Sequence, residues 1–414
     1  MKYIHLFIVA LSFAQLTYSQ SYFEDAPHIK TVIFKPAEVN RYAPIIRLGE
    51  ELFLSFDDLN ADEHIYSYKI EHYTYDWKPS ALAESEFIDG FAEDRIRNYE
   101  NSFNTLQPYT YYQVTFPNRN TQIKISGNYI LSVINEFDEV VFKRRFVVYQ
   151  PKVAVAVALY RSRDIATIEK KQAVEFSINH PGITINNPQR EIYPVILQNN
   201  NWQHAIYGLK PQFYRSNQLL YKYNKKTGFW GSNEFLFFDT KTIRSTSLNI
   251  AKIELGKNLY HTYLYTNEDR NFEPYTYFPD VNGNFYIRTI DTEYTNLEAD
   301  YTWVHFYLKT PANLENKEVF VNGNFNNWEL NNTNKLTFNK ETQLYETKIL
   351  LKQGFYNYSF VTRNNNGKIS NYNIDGSHYE TENDYTVIVY YNKFAERYYE
   401  VIGVGFGSSL KINN

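Results

Sequence analysis

The chain contains no cysteine, and its one methionine is Met1, so no residue after the first carries sulfur. That excludes disulfides, thiolate metal sites and a lipid-attached or nucleophilic cysteine. Core burial is left to hold the fold together, and a chain of 414 residues is long enough for it. An excess of one charge is missing as well. Against 42 Lys and Arg stand 46 Asp and Glu, a net charge of -4, with an isoelectric point near 6.2. There is then no electrostatic case for nucleic acid or an anionic membrane surface as partner. The densest basic run, Lys143-Arg144-Arg145, sits inside an alternating stretch and reads as a solvated face. Catalytic signatures are equally scarce, with no His-Glu-x-x-His, no Gly-x-Ser-x-Gly and no Walker loop.

What is present begins with the first nineteen residues. Lys2 precedes an apolar stretch from Ile4 to Leu16, and Thr17-Tyr18-Ser19 offers small residues for cleavage before Gln20. The pattern is that of a secretory signal peptide, residues 1–19, too short and too interrupted for a membrane anchor. The second signal is aromatic, with 39 Tyr and 30 Phe. Aromatic and β-branched side chains suit the half-buried surface of a sheet. Period-2 alternation dominates, as in Thr31 to Lys35, Tyr66 to Glu71 and Val140 to Tyr149, and no long segment has a helical period. Turn signals such as Ser126-Gly127-Asn128, His180-Pro181-Gly182, Asn282-Gly283-Asn284 and Asn366-Gly367-Lys368 punctuate it.

The class expected is all-β, a tandem of Ig-like or early-set β-sandwiches. At ~150 residues per domain the length suits two to three units. The expected divisions are an N-terminal sandwich over 20–150, a middle β domain over 151–299, a C-terminal early-set-like sandwich over 300–402 and a Gly/Ser-rich tail over 403–414 whose end frays. Val153 to Leu159, uncharged and alternating large with small, reads as a buried core strand.

Candidate chemistry is thin. Asp57-Asp58 and Glu50-Glu51 are neighbours that a strand points to opposite faces, so neither pair forms a two-carboxylate acid/base site. His64 and His72 share a face only on one straight strand, and a metal site there lacks further ligands. Asp280 to Asn284 begins like a calcium loop but has no distal glutamate, so a turn accounts for it. Gly403-Val404-Gly405-Phe406-Gly407 has no βαβ context and is strand and tail glycine, not a phosphate loop. No catalytic residue, metal site or cofactor is expected.

Two resemblances add to this reading. Val319 to Trp328 (VFVNGNFNNW), followed by Gly354 to Phe360 (GFYNYSF), resembles the opening of early-set glucan-binding modules. That likeness implies a sandwich whose Trp328, with Asn324 and Asn327, would meet an alpha-glucan. The Lys position of the glucan binders holds Ser359 here, and no tryptophan follows Trp328. Trp328 is therefore expected to close the core of its own domain. The broader resemblance rests on Asp57-Asp58-Leu59, Tyr66 to His72, Asp76-Trp77-Lys78-Pro79-Ser80, Phe116-Pro117-Asn118 and Ser126 to Val133. It continues through Gly231 to Asp239, Ala299-Asp300-Tyr301 and Glu396 to Gly403. In this order they resemble the plug-protein family of the Bacteroidetes type IX secretion system, with Leu236 standing where members often carry a basic residue. The resemblance implies a non-enzymatic periplasmic protein that seals the periplasmic opening of the outer-membrane translocon barrel, its protein partner, with no small-molecule substrate. Two alternatives stay open: a periplasmic or surface carbohydrate-binding protein, and, ranked last, a membrane β-barrel interrupted by polar insertions such as Gln198 to Asn201.

Overall fold

A computed structural model describes residues 24–38, 41–310, 314, 316–393 and 396–412. The expected signal peptide lies outside the described residues. The remainder is all-β, as the alternation predicts, in three packed sandwiches.

In the first, one sheet runs Ile29–Pro36, Leu52–Asp58, Thr110–Phe116, Asn98–Asn101, and the facing sheet Ile45–Arg47, Val140–Tyr149, Gly127–Ile134, Ser67–Tyr73, Glu93–Arg95. Alternate side chains of both sheets meet between them, which is why the chain needs so many rings. Phe56 stacks on Tyr112 with centroids 5.1 Å apart, and Tyr129 on Phe146 at 5.1 Å. Such pairs fill the ~10 Å between sheets with flat, rigid side chains.

The expected divisions beyond residue 150 are not those of the structure. One sheet of the second sandwich holds Ala154–Arg161, Lys171–Asn179, Gln218–Tyr221 and Phe213–Arg215. Its other sheet runs Asn201–Ile206, Ile192–Gln198, Asp384–Tyr391, Glu400–Ser408. The chain thus leaves this domain after Trp230 and re-enters it at Asp384, with Ile192 opposite Tyr391 and Gln198 opposite Tyr385. The described strands from Leu236–Asp239 to Ile369–Ser370 form a third sandwich inserted between those strands. A boundary at 299/300 falls inside it, because Tyr260–Leu264 pairs directly with Tyr301–Lys309. Its two faces join at the strand Lys335–Asn339. Leu336 pairs with Val319 on one side, while Thr337 pairs with Glu346 on the other.

The tail is also corrected. Glu400–Ser408 is a strand and Ser409–Lys411 a 3-10 turn. Its glycines have a packing reason. A Cβ on Gly403 would lie 2.6 Å from Val153, one on Gly405 2.7 Å from the Val155 carbonyl oxygen, and one on Gly407 2.8 Å from Val157. The large residues of Val153 to Leu159 seat in the row of missing side chains, so the two sheets approach more closely than side chains would permit. The small residues of that run, Ala154 and Ala156, face outward, which makes Ala154–Arg161 a one-sided edge strand instead of a buried one. Gly405→Val is expected to cost about 2–3 kcal/mol, since overpacking here meets backbone and not a flexible tip. Urea denaturation checks this, with Gly182→Ala, whose Cβ meets nothing within 4 Å, as the neutral control. Equal midpoints for the two variants would remove the packing argument.

Candidate functional site

The features with the strongest physical signature are the junctions between the sandwiches. At the first–third junction the strand Ile29–Pro36 carries a bulge between Lys30 and Ile33, and Thr31 takes φ 51°, unusual for a β-branched residue. This turns its hydroxyl 2.6 Å from Tyr301 Oη. Tyr301 donates its own proton to Asp57 Oδ2 at 2.6 Å, so Thr31 is the donor to Tyr301. Lys352 Nζ donates to the same Asp57 oxygen at 2.8 Å and to the Asn296 carbonyl at 2.8 Å. It lies 3.9 Å from the centroid of the Tyr109 ring. Asp57 and Lys352 are each 1% exposed. Burial pushes the Asp57 carboxyl up and the Lys352 ammonium down, while each charge pulls the other back toward ionisation. Nearby, Asp300 accepts the amides of Leu106 and Gln107 at 2.7 and 3.1 Å.

The first–second junction is apolar. Ile45, Trp77, Val147 and Tyr149 pack against Val195, Leu197, Ile388, Tyr390 and Val401. Tyr390 donates to Asn128 Oδ1 at 2.7 Å, and the Val401 amide to Ser126 Oγ at 3.0 Å. The basic run expected on a solvated face is engaged instead, Arg144 within the first sandwich and Arg145 at this junction. Arg144 is buried against Asp25 at 2.6 Å, and the Arg145 guanidinium lies 4.7 Å over the Trp77 ring. At the second–third junction Asn282 donates to Asp384 at 3.0 Å, and Gln203 donates to the Trp328 carbonyl.

Where the three sandwiches meet there is a cavity of about 420 Å³, lined among others by Lys35, Asn201, Trp202, Asn284 and Glu329. Burial pushes the Glu329 carboxyl up to about 7, with Arg144 opposing. Trp328, Asn324 and Asn327 line this cavity too, so the structure does bring the three together. Asn324 donates to Asn284 at 2.8 Å and Asn327 to Glu329 at 3.0 Å. Trp328 is 8% exposed and sits edge-on to Phe235, outside the third domain's own core cluster. Its expected role is corrected accordingly: it closes a junction between domains, where Gly283 leaves room that a Cβ 2.2 Å from the ring would take. A ring packed this way offers no open face for a sugar to stack on.

The other candidates separate. Asp57 and Asp58 point apart, Asp58 accepting from Tyr66 at 2.8 Å. His72 is buried among Phe87, Tyr129 and Tyr398, and burial pushes it down to about 4. His64 lies outside that strand. Asp58, Asp62 and His64 come near enough for a metal, the one such group among the described residues. Desolvation pulls the His64 imidazolium down, but Glu136 at 3.0 Å and Asp62 at 3.1 Å pull it up by more. Asp280 caps the turn through the Asn282 amide at 2.6 Å, as a turn residue does. The Asp57–Lys352 pair was not read from the sequence. Its one local trace is a lysine ending the apolar run Ile349-Leu350-Leu351.

Residues 29–150 match the family described as the type 9 secretion system plug protein 1st domain. A hypothetical protein from Parabacteroides merdae, whose crystal structure was solved at 2.30 Å resolution, is 32% identical. That match covers 94% of this chain and 100% of the other, with a TM-score of 0.90. The chain belongs to the family of that protein, and its first domain is of the plug type. A BSP domain of a biofilm associated protein aligns at 8% identity and a TM-score of 0.16, which supports no comparison. No curated protein matches the chain. The plug-type domain contributes Asp57 and Tyr109 to the junction with the third sandwich and Trp77 and Tyr149 to that with the second. No described helix is long and apolar enough to cross a membrane.

Proposed function

We propose that this protein is a periplasmic plug, seated in the periplasmic opening of the outer-membrane barrel of the type 9 secretion translocon, and that its work is mechanical closure. The observation carrying this is the plug-type first domain, fused through buried junctions to two further sandwiches. A stopper must keep its shape against the rim it fills, and the Asp57–Lys352 network resists hinging at the first–third junction. A lumen wide enough for folded cargo conducts water and solutes unless something fills it. Contact around such a rim would bury more than ~1,000 Å². Exposed rings such as Phe91, Phe137, Phe272 and Phe406 are available for contacts of that kind.

Deletion of the gene is expected to leave the translocon assembled while the outer membrane becomes permeable to large hydrophilic antibiotics. Antibiotic uptake is measured in deletion and complemented cells, with the barrel quantified in their membranes. A deletion strain as impermeable as wild type, with the barrel present, would exclude the sealing role. Blocked export without leakage would point to a partner in secretion instead.

A further inference from the structure

One outward-facing cluster takes no part in the junctions. The strand Tyr260–Leu264 runs parallel to Tyr301–Lys309, with Tyr263 opposite His305 and His261 opposite Trp303. Thr262, Leu264, Val304, Phe306 and Leu308 turn into the sandwich. Alternation therefore puts His261, Tyr263, Trp303, His305 and Tyr307 on the outer face, all half-buried. There His261 Nδ1 and His305 Nε2 lie 2.9 Å apart. The His305 ring is stacked on Tyr263 at 4.3 Å, which keeps it beside His261.

From this geometry we infer that His261 and His305 form an open two-imidazole site for a divalent transition metal of the copper or nickel type. Metal–imidazole bonds are ~2.0–2.1 Å long. The hydrogen-bonded pair places two imidazoles within reach of one ion, and the intrinsic order of divalent affinities favours Cu²⁺ over Ni²⁺ and Zn²⁺. In the metal-free pair one imidazole donates N–H to the other. Binding moves that proton to the remote nitrogen of the same ring and swings both rings so that their lone pairs converge. Water fills the other positions.

The surroundings permit this. The groups facing the pair across the strands are Glu254 and Lys252 on one side and Lys348 and Glu346 on the other. Lys252 is engaged by Glu254, and Lys348 lies 4.9 Å over the Trp303 ring.

The test is titration of the full chain with Cu²⁺ at about pH 7.5, followed by calorimetry and electron paramagnetic resonance. The expected result is one micromolar site whose spectrum shows two nitrogen ligands. His261→Gln and His305→Gln, each made singly, should weaken it about tenfold or more, because each loses the effective concentration of the second imidazole. His64→Gln should leave it intact. Ni²⁺ should bind more weakly and Zn²⁺ more weakly still, and lowering the pH to about 5 should release the metal as protons compete. Both singles are half-exposed changes, and metal-free melting curves report their folding. If a variant melts early, the nitrogen count on the wild-type protein decides alone. Fewer than two nitrogens, unchanged affinity in the folded singles, loss in His64→Gln, or Zn²⁺ binding as tight as Cu²⁺ would each overturn the assignment.

Discussion

Lys352→Met is expected to destabilise the protein by about 3–5 kcal/mol, because it leaves the Asp57 carboxylate buried without its cation. Methionine keeps most of the side-chain volume, so the loss reports charge and not packing. Three groups lose a partner at once: Asp57, the Asn296 carbonyl and the face of the Tyr109 ring. The double variant Asp57→Leu/Lys352→Met should recover most of that loss, since replacing both members of a buried pair by apolar groups is often neutral. Denaturant unfolding of the two singles and the double forms a closed cycle, and the coupling between the sites should be large. Limited proteolysis on the same samples should show the single variant cut in the loops that meet at the first–third junction, around Gln107 and Asn296. If Lys352→Met unfolds with the wild-type midpoint, the pair is not what joins these domains, and the shape-keeping that a plug requires needs another source.

Trp328→Ala is expected to cost about 3–5 kcal/mol, the range for truncating a buried tryptophan. The ring is 8% exposed, borders the three-domain cavity and packs edge-on to Phe235 at 6.0 Å. Its backbone holds φ 62°, so the strain at this turn remains after the ring is removed. The loss should appear as loosening between the second and third sandwiches, because Gln203 reaches across to the Trp328 carbonyl. Calorimetry with maltooligosaccharides provides the opposing test. Saturable binding by the wild type that vanishes in a variant of unchanged melting temperature would show that the ring serves a sugar and not the junction.

Much of the fold was legible. The strands Val140–Tyr149 and Gly127–Ile134 follow their alternation to the residue, joined by the turn at Asn135 to Glu139. The glycines of 403–407 and the large–small run of 153–159 were both visible, as a tail and as a core strand. They are two halves of one contact, and nothing local announces a partner some 250 residues away. The division at 299/300 erred for the same cause. Alternation shows that Ile192–Gln198 and Asp384–Tyr391 are strands but does not say that they pair. At the candidate site, Trp328, Asn324 and Asn327 are neighbours in one turn and so adjacent in the sequence already, while the ring's surroundings depend on Gly283 and Phe235, which arrive from elsewhere.

The plug-type likeness of the first domain rested on motifs that resemble those of a known family; composition and alternation were sufficient for the all-β class and the absence of sulfur chemistry. These follow from side-chain period and residue type, which are local. Three things were not local: the insertion of one sandwich within another, the burial of Lys352 against Asp57, and the meeting of His261 with His305 across parallel strands. Each joins residues distant along the chain, and which strands become neighbours is settled by burying every sheet face together. A charge that looks solvated in its own strand, such as Arg144, is buried once the segment carrying Asp25 lies against it.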